Sequence, residues 1–151
     1  MDTHDTTARV TAELGALTQQ FFAAVSFKQG ERPRYDAIRD LFVVQGLLIR
    51  NSADAPEIDG VDAFIQPRQQ VFDSGALTHF REVEIADITE VFGNVAHRFS
   101  TYEKAGCLHG GEFVARGAIS TQFIRTPSGW RISSMAWDDE RPGLVLPNRY
   151  R

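Results

Sequence analysis

Between Thr7 and Lys28 the apolar residues Val10, Leu14, Leu17, Phe21 and Val25 recur three and four positions apart, which places them on one face of a helix. Thr6 or Thr7 can cap its start and Gly30 supplies a stop. A shorter helix fits Tyr35 to Phe42, where Tyr35, Ile38 and Phe42 share a face after Pro33. Val43 to Arg50 is rich in β-branched and aliphatic residues and reads as a strand, ended by Asn51, Ser52, Asp54 and Pro56. Asp59 and Gly60 then open a third helical pattern, in which Val61, Phe64, Ile65, Val71 and Phe72 share a broad face that Gly75 terminates. Pro67 interrupts this pattern, and its missing N–H predicts a kink or a restart there.

From His79 onward the period changes from three-to-four to two. His79 to Val91, Val95 to Lys104, Glu112 to Arg125 and Trp130 to Asp138 are predicted strands. Gly93 with Asn94, the stretch Ala105 to Gly111, and Pro127 to Gly129 supply the turns between them. Without repeats, low-complexity runs or linkers, residues 1–151 are expected to form one α+β domain.

Hydrophobic residues make up 42% of the chain and charged residues 24%, which excludes a disordered polypeptide. The eleven phenylalanines suit either a core or the wall of an apolar pocket. A net charge of −4 with no basic stripe removes the electrostatic support for nucleic-acid binding. The sequence carries no apolar run of bilayer length and no signal-peptide pattern, so a cytoplasmic protein without a membrane partner is expected. Cys107 is the only cysteine, which excludes an internal disulfide and a thiolate cluster. The histidines show no metal-ligand spacing, and no phosphate-cradling loop or nucleophile elbow occurs, so no metal or cofactor is expected.

The signatures Asp40-Leu41-Phe42, Gly60-Val61-Asp62-Ala63-Phe64-Ile65, Phe92-Gly93-Asn94-Val95-Ala96 and Gly129-Trp130-Arg131-Ile132, in this order over residues 10 to 140, resemble the nuclear transport factor 2-like superfamily. The resemblance extends to its SnoaL-like and ketosteroid-isomerase-like members. It implies a cone: a curved antiparallel sheet wrapped around N-terminal helices, a cystatin-like α+β barrel with a pocket inside and an outer face often used for dimerisation. It also implies a bacterial subgroup through the tail from Trp137 to Tyr150.

Strand alternation predicts which side chains point into such a cone. Pairing across the last turn sets Phe123 against Ile132, Thr121 against Ser134 and Ile119 against Ala136. The more apolar face of the preceding strand carries Val95, His97, Phe99 and Thr101, and also Glu103. The expected pocket is therefore lined by Tyr35, His97, Phe99, Thr101, Thr121 and Ser134, within a core of Phe21 or Phe22, Phe99, Ile119, Phe123 and Ile132. The opposite face, with Arg98, Tyr102, Arg116, Gln122 and Arg131, reads as solvated, and Met135 and Trp137 on it as a homodimer interface.

His97 on an otherwise apolar face is the leading proton-transfer candidate, with Asp36 and His79 beside it. Dehydratase-like relatives use paired histidines with an aspartate, types that His79, His97 and Asp36 supply. Ketosteroid-isomerase-like relatives use an acidic base opposite a tyrosine, for which Tyr35 is a donor; the first helix offers Phe21 and Phe22 where a tyrosine is needed. Asp138, Asp139 and Glu140 read as solvated charge at a strand end. Two functions remain. One is a binder of a small apolar or mixed-polarity ligand. The other is a cofactor-independent isomerase, polyketide cyclase or dehydratase with a His/Asp acid-base pair.

Overall fold

A computed structural model describes residues 3–151. Helix α1 spans Thr3–Val25 and buries Leu14, Phe21 and Val25 of the stripe that the sequence spacing predicts, together with Thr18 and Phe22, while Val10 and Leu17 are half-buried at its edge. Its end is tied down locally: the Ser26 hydroxyl donates to the Phe22 carbonyl at 2.7 Å and accepts the Glu82 amide at 3.0 Å. Phe27 then exchanges two backbone hydrogen bonds with Phe80, and a 3-10 segment over Tyr35–Leu41 buries Tyr35, Ile38 and Leu41.

Strands β1 (Phe42–Arg50), β2 (Glu57–Gly60), β3 (Leu77–Phe92), β4 (Val95–Leu108), β5 (Gly111–Thr126) and β6 (Gly129–Asp139) form one curved sheet in the order β2-β1-β6-β5-β4-β3. Every neighbouring pair is antiparallel except β1 with β6. The sheet is therefore mixed and does not close on itself. Short β2 pairs with the end of β1 over residues that sequence periodicity reads as a turn and a helix start. The turn expected over Ala105 to Gly111 is tighter, because β4 runs on to Leu108 and puts Cys107 in the strand. Only His109 and Gly110 are left to reverse the chain, both at positive φ, as a two-residue hairpin of this hand requires.

Helix α2, Val61–Asp73, packs Phe64 and Ile65 inward and runs on through Pro67 without a restart. Pro67 leaves only the Ala63 carbonyl without its helical donor. Ala63 and Pro67 both lie on the exposed side of α2, where water can replace that bond. Among the described residues no helix is long and apolar enough to cross a membrane.

Two bulges decide which side chains of β3 and β6 enter the cone: Ile85 in β3, which is left unpaired between Glu84 and Ala86, and Ser133 in β6. Phe123 pairs with Ile132, as expected, but the register shifts next to them, so Thr121 faces Met135 and Ile119 faces Trp137. Ser133 is the extra residue, a bulge that turns every later β6 side chain to the opposite face. Met135 is consequently fully buried inside, and Trp137 packs edge-on against Phe64 at 6.0 Å between ring centres. Neither belongs to an outer dimer surface. Ser134 and Ala136 take the outer positions instead, beside Gln122 and Ser120.

The second correction concerns β4. Ala96, Arg98, Ser100 and Tyr102 are its buried, inward residues, whereas His97, Phe99, Thr101 and Glu103 lie on the outer face. Arg98 and Tyr102 are thus not solvated. The apolar look of the outer residues has a local cause: the C-terminal segment crosses that face. Tyr150 stacks on Phe99 at 5.1 Å, and the Thr101 hydroxyl donates to the Tyr150 carbonyl.

The inward polar residues of β3 and β4 satisfy one another. Arg98 donates from Nε to Glu84 Oε2 at 3.0 Å and from Nη2 to Oε1 at 2.6 Å, and it also reaches Thr89 and Asp87. Ser100 adds a donor to Glu84 at 2.6 Å. The Arg98 and Glu84 side chains are only 8% and 7% exposed, so this is a buried, fully engaged pair.

Candidate functional site

Between α1, α2 and the inner sheet face lies a cavity of about 440 Å³. Phe21, Phe64, Phe80, Phe113, Ile119 and Trp137 form its apolar wall. Into this wall the sheet register sets a small group of ionisable side chains. Glu82 on β3 pairs with Lys104 on β4, and one row on, Tyr102 of β4, Gly117 of β5 and Asp139 of β6 stand side by side.

Gly117 is the reason that row works. A Cβ there would lie against the Tyr102 hydroxyl and the Asp138 carbonyl, and 2.6 Å from Tyr102 Cζ. With only hydrogen at that place, the phenol of Tyr102 crosses β5 and donates to Asp139 Oδ1 and to the Asp138 carbonyl, the latter at 3.1 Å. Lys104 Nζ reaches the same Asp139 oxygen at 3.0 Å. Burial, with the negative charge and hydrogen bond of Asp139, raises the Tyr102 pKa, so the phenol stays a donor.

Glu82 differs from these three because its carboxyl has no hydrogen-bond or ion-pair partner among the described residues. It lines the cavity and keeps some accessible surface there, while protein surrounds it on the other sides. Burial is the largest influence on it, offset in part by Lys104 and Arg68 and reinforced by Asp139, and its pKa rises from 4.5 to about 7. A carboxyl so placed exchanges its proton near neutrality.

Opposite the sheet, Tyr35 and Arg68 line the same cavity. Arg68 stacks over the Phe64 ring at 3.5 Å and donates from Nη1 to the Phe64 carbonyl at 3.0 Å. Burial lowers the Arg68 pKa and raises that of Tyr35, each opposed in part by the attraction between the two groups.

Of the residues singled out from sequence, Tyr35 lines this cavity. Thr121 points inward but is buried within the core, its hydroxyl without a partner among the described residues. His97, Phe99 and Ser134 meet in a shallow outer groove beside Tyr150, where His97 Nε2 lies 2.8 Å from Glu90 Oε1. Thr101 lies under the C-terminal segment. His79 sits on the outer face of β3 opposite Cys107, and Asp36 is exposed on the 3-10 segment. No two of His97, His79 and Asp36 come together.

Sequence patterning does not mark Glu82, Lys104 and Arg68, reads Asp139 as solvated charge, and reads Tyr102 as solvated, with a place in the pocket only as an alternative beside Arg116 and Ser120 if His97 faces outward, as it does. Their faces look polar, and polarity ordinarily means solvent. Tyr35 adjoining Asp36, and the acidic run at Asp139, were the only local signals available.

No protein-family model matches the chain, and no curated protein matches it by sequence. Solved structures do match in fold. A nuclear transport factor 2-like superfamily protein from Salmonella enterica serovar Typhimurium superimposes with a TM-score of 0.73 at 16% identity, covering 89% of this chain and 94% of the other. A protein described as a candidate scytalone dehydratase, from Novosphingobium aromaticivorans, gives 0.75 at 8% identity over 92% and 89%. A candidate dehydratase of the same fold from Streptomyces avermitilis gives 0.66 at 14% identity over 88% and 97%.

Proposed function

We propose that this chain, which has the nuclear transport factor 2-like fold, binds a small and largely apolar molecule in its cone and moves a proton on it, with Glu82 as the base. One observation carries the reading: an unpartnered carboxyl titrating near 7 stands beside a lysine, an aspartate and a tyrosine on the sheet wall of an apolar cavity. Such a group is neither a structural ion pair nor a solvated surface acid. Fold-level similarity to two candidate dehydratases is consistent with proton transfer but does not specify the reaction.

The step that fits these groups begins with ionised Glu82 taking a proton from a carbon next to a carbonyl. The C–H electron pair moves into the carbonyl and forms an enolate, whose charge Lys104 offsets. In a β,γ-unsaturated ketone the enolate is conjugated with the double bond, and returning the proton at the γ-carbon moves that double bond and completes an isomerisation. Expulsion of a β-hydroxyl, which takes a proton from Lys104 and leaves as water, completes a dehydration instead. Tyr102 and Asp139 hold Lys104 in position for either outcome.

The test is deuterium incorporation next to the carbonyl of 2-tetralone and related cyclic ketones in heavy water, followed by proton NMR. The wild-type protein is expected to exceed Glu82→Gln by about 100-fold, the lower range for a general base. Its rate should rise with pH and level off above about 7, as Glu82 ionises. Equal rates for the two proteins across the panel would remove Glu82 as a base and leave a binding pocket without proton transfer.

A further inference from the structure

Arg68 has no close counter-ion: the carboxylates that act on it electrostatically, Glu57, Asp59 and Glu82, lie beyond ion-pair distance. It is half-buried on the inner side of α2 and stacked on Phe64, and its one protein hydrogen bond is to a backbone carbonyl; no carboxylate lies within 4 Å of it among the described residues. A guanidinium has five N–H donors, so most of its donor capacity is open. The other cations at this site are engaged, Lys104 by Asp139 at 3.0 Å and Arg50 by Glu57 at 3.8 Å.

The Tyr35 hydroxyl gives an independent sign of the same kind. The residue is 3% exposed, it lines the cavity, and its hydroxyl has no protein partner among the described residues. The hydroxyl is not sealed off, since Thr121 alone among the described residues has a fully enclosed side-chain oxygen without a partner; it opens onto the cavity as an available donor. Two such donors, close enough to interact electrostatically, share one side of an aromatic cavity.

We infer that Arg68 and Tyr35 form an anion-binding subsite, and that the molecule taken into the cone is an organic acid whose carboxylate rests on these two donors while its apolar body lies against Phe64, Phe80 and Trp137. This rests on the reading of the cone as a small-molecule site and names the class of molecule. The planar fork of an arginine matches both oxygens of a carboxylate, and a guanidinium already stacked on an aromatic ring loses little freedom on binding. The arrangement also ties binding to protonation. Arg68 holds the Glu82 pKa down, so an anion that offsets Arg68 favours protonated Glu82.

Calorimetric titration of the purified protein with 2-naphthoate and with its neutral isostere 2-naphthamide tests this subsite. The wild-type protein is expected to bind naphthoate at least about tenfold more tightly, the worth of one charge-assisted hydrogen bond. Arg68→Met should remove the preference, Arg68→Lys should keep part of it, and Tyr35→Phe should reduce it by about threefold to tenfold. Because the preference is first measured on the unaltered protein, misfolding of a variant does not blur the answer. Equal binding of the two compounds, failure of naphthoate to bind at millimolar concentration, or a preference that survives Arg68→Met would overturn the inference.

The Glu82→Gln variant separates this inference from the proton-transfer reading. It should keep the naphthoate preference but lose the proton uptake that accompanies binding near neutral pH. Anion preference without ketone exchange sinks the base and spares the subsite. Ketone exchange without anion preference sinks the subsite and spares the base.

Discussion

Replacing Glu82 with glutamine should stabilise the protein, and by an amount that grows with pH. In the fold the Glu82 pKa is raised from 4.5 to about 7, so the folded state favours the protonated acid. Ionisation therefore costs the folded state more than the unfolded one, and stability falls as pH climbs through that interval before levelling above it. The full interval corresponds to about 3 kcal/mol, at about 1.4 kcal/mol per unit. Part of that cost is already present at about pH 5, so the pH-dependent difference between about pH 5 and about pH 8 is about 2 to 3 kcal/mol. Glutamine keeps the shape and cannot ionise. Urea unfolding of both proteins at several pH values in that range gives the paired difference directly, and the titrating groups that do not act on Glu82 cancel from it. For a chain of this length the gap at the alkaline end corresponds to a melting shift of about 5 to 10 °C in favour of the variant. If the two stability curves run parallel within about 0.5 kcal/mol, Glu82 titrates as an ordinary surface acid. The cavity would then lose its base.

Two further substitutions test the frame around that site. Gly117→Ala pushes a methyl group into the contact between Tyr102 and the Asp138 carbonyl, and should cost about 2 kcal/mol or more in urea unfolding; a neutral result would mean that Tyr102 does not cross β5. Arg98→Met leaves Glu84 inside without its bidentate partner and should cost about 3 to 5 kcal/mol by the same measurement, and a loss under about 1 kcal/mol would show the pair to be dispensable.

The fold was legible in the sequence wherever one period held over many residues. Helix α1 and the three hairpins linking β3 to β6 lie within a few residues of their predicted limits, because their apolar stripes and turn formers agree. β2 was not legible, since four residues are too few to show a period and Asp59 and Gly60 also suit a helix start. The site was less legible for two physical reasons. Bulges after Glu84 and at Ser133 change side-chain parity without any marker residue, which carried Met135 and Trp137 to the wrong face. The choice of faces on β4 then followed apolarity, whereas here Phe99 is covered from outside by Tyr150 and the inner Arg98 is neutralised by Glu84. A face can be polar and buried when its charges pair within it. That condition is tertiary, and strand alternation alone does not reveal it.

The bulge at Ser133 has a consequence for how this cone could diversify. Everything in β6 beyond it, six inward-or-outward choices from Ser134 to Asp139, depends on one additional residue standing outside the ladder. Were β6 to take Ser133 into the ladder by a one-residue slip, Ser134 and Ala136 would turn inward and Met135, Trp137 and Asp139 outward, and the bulky wall and the acid of the site would leave the chamber together. Deleting Ser133 has the opposite outcome: Ile132 and Ser134 become consecutive, alternation alone sets Met135 and Trp137 inside, and every pair with β5 is kept. Relatives one residue shorter at this place are therefore expected to keep the same wall, and the extra residue is a change in length that descent can gain or lose without reshaping the chamber.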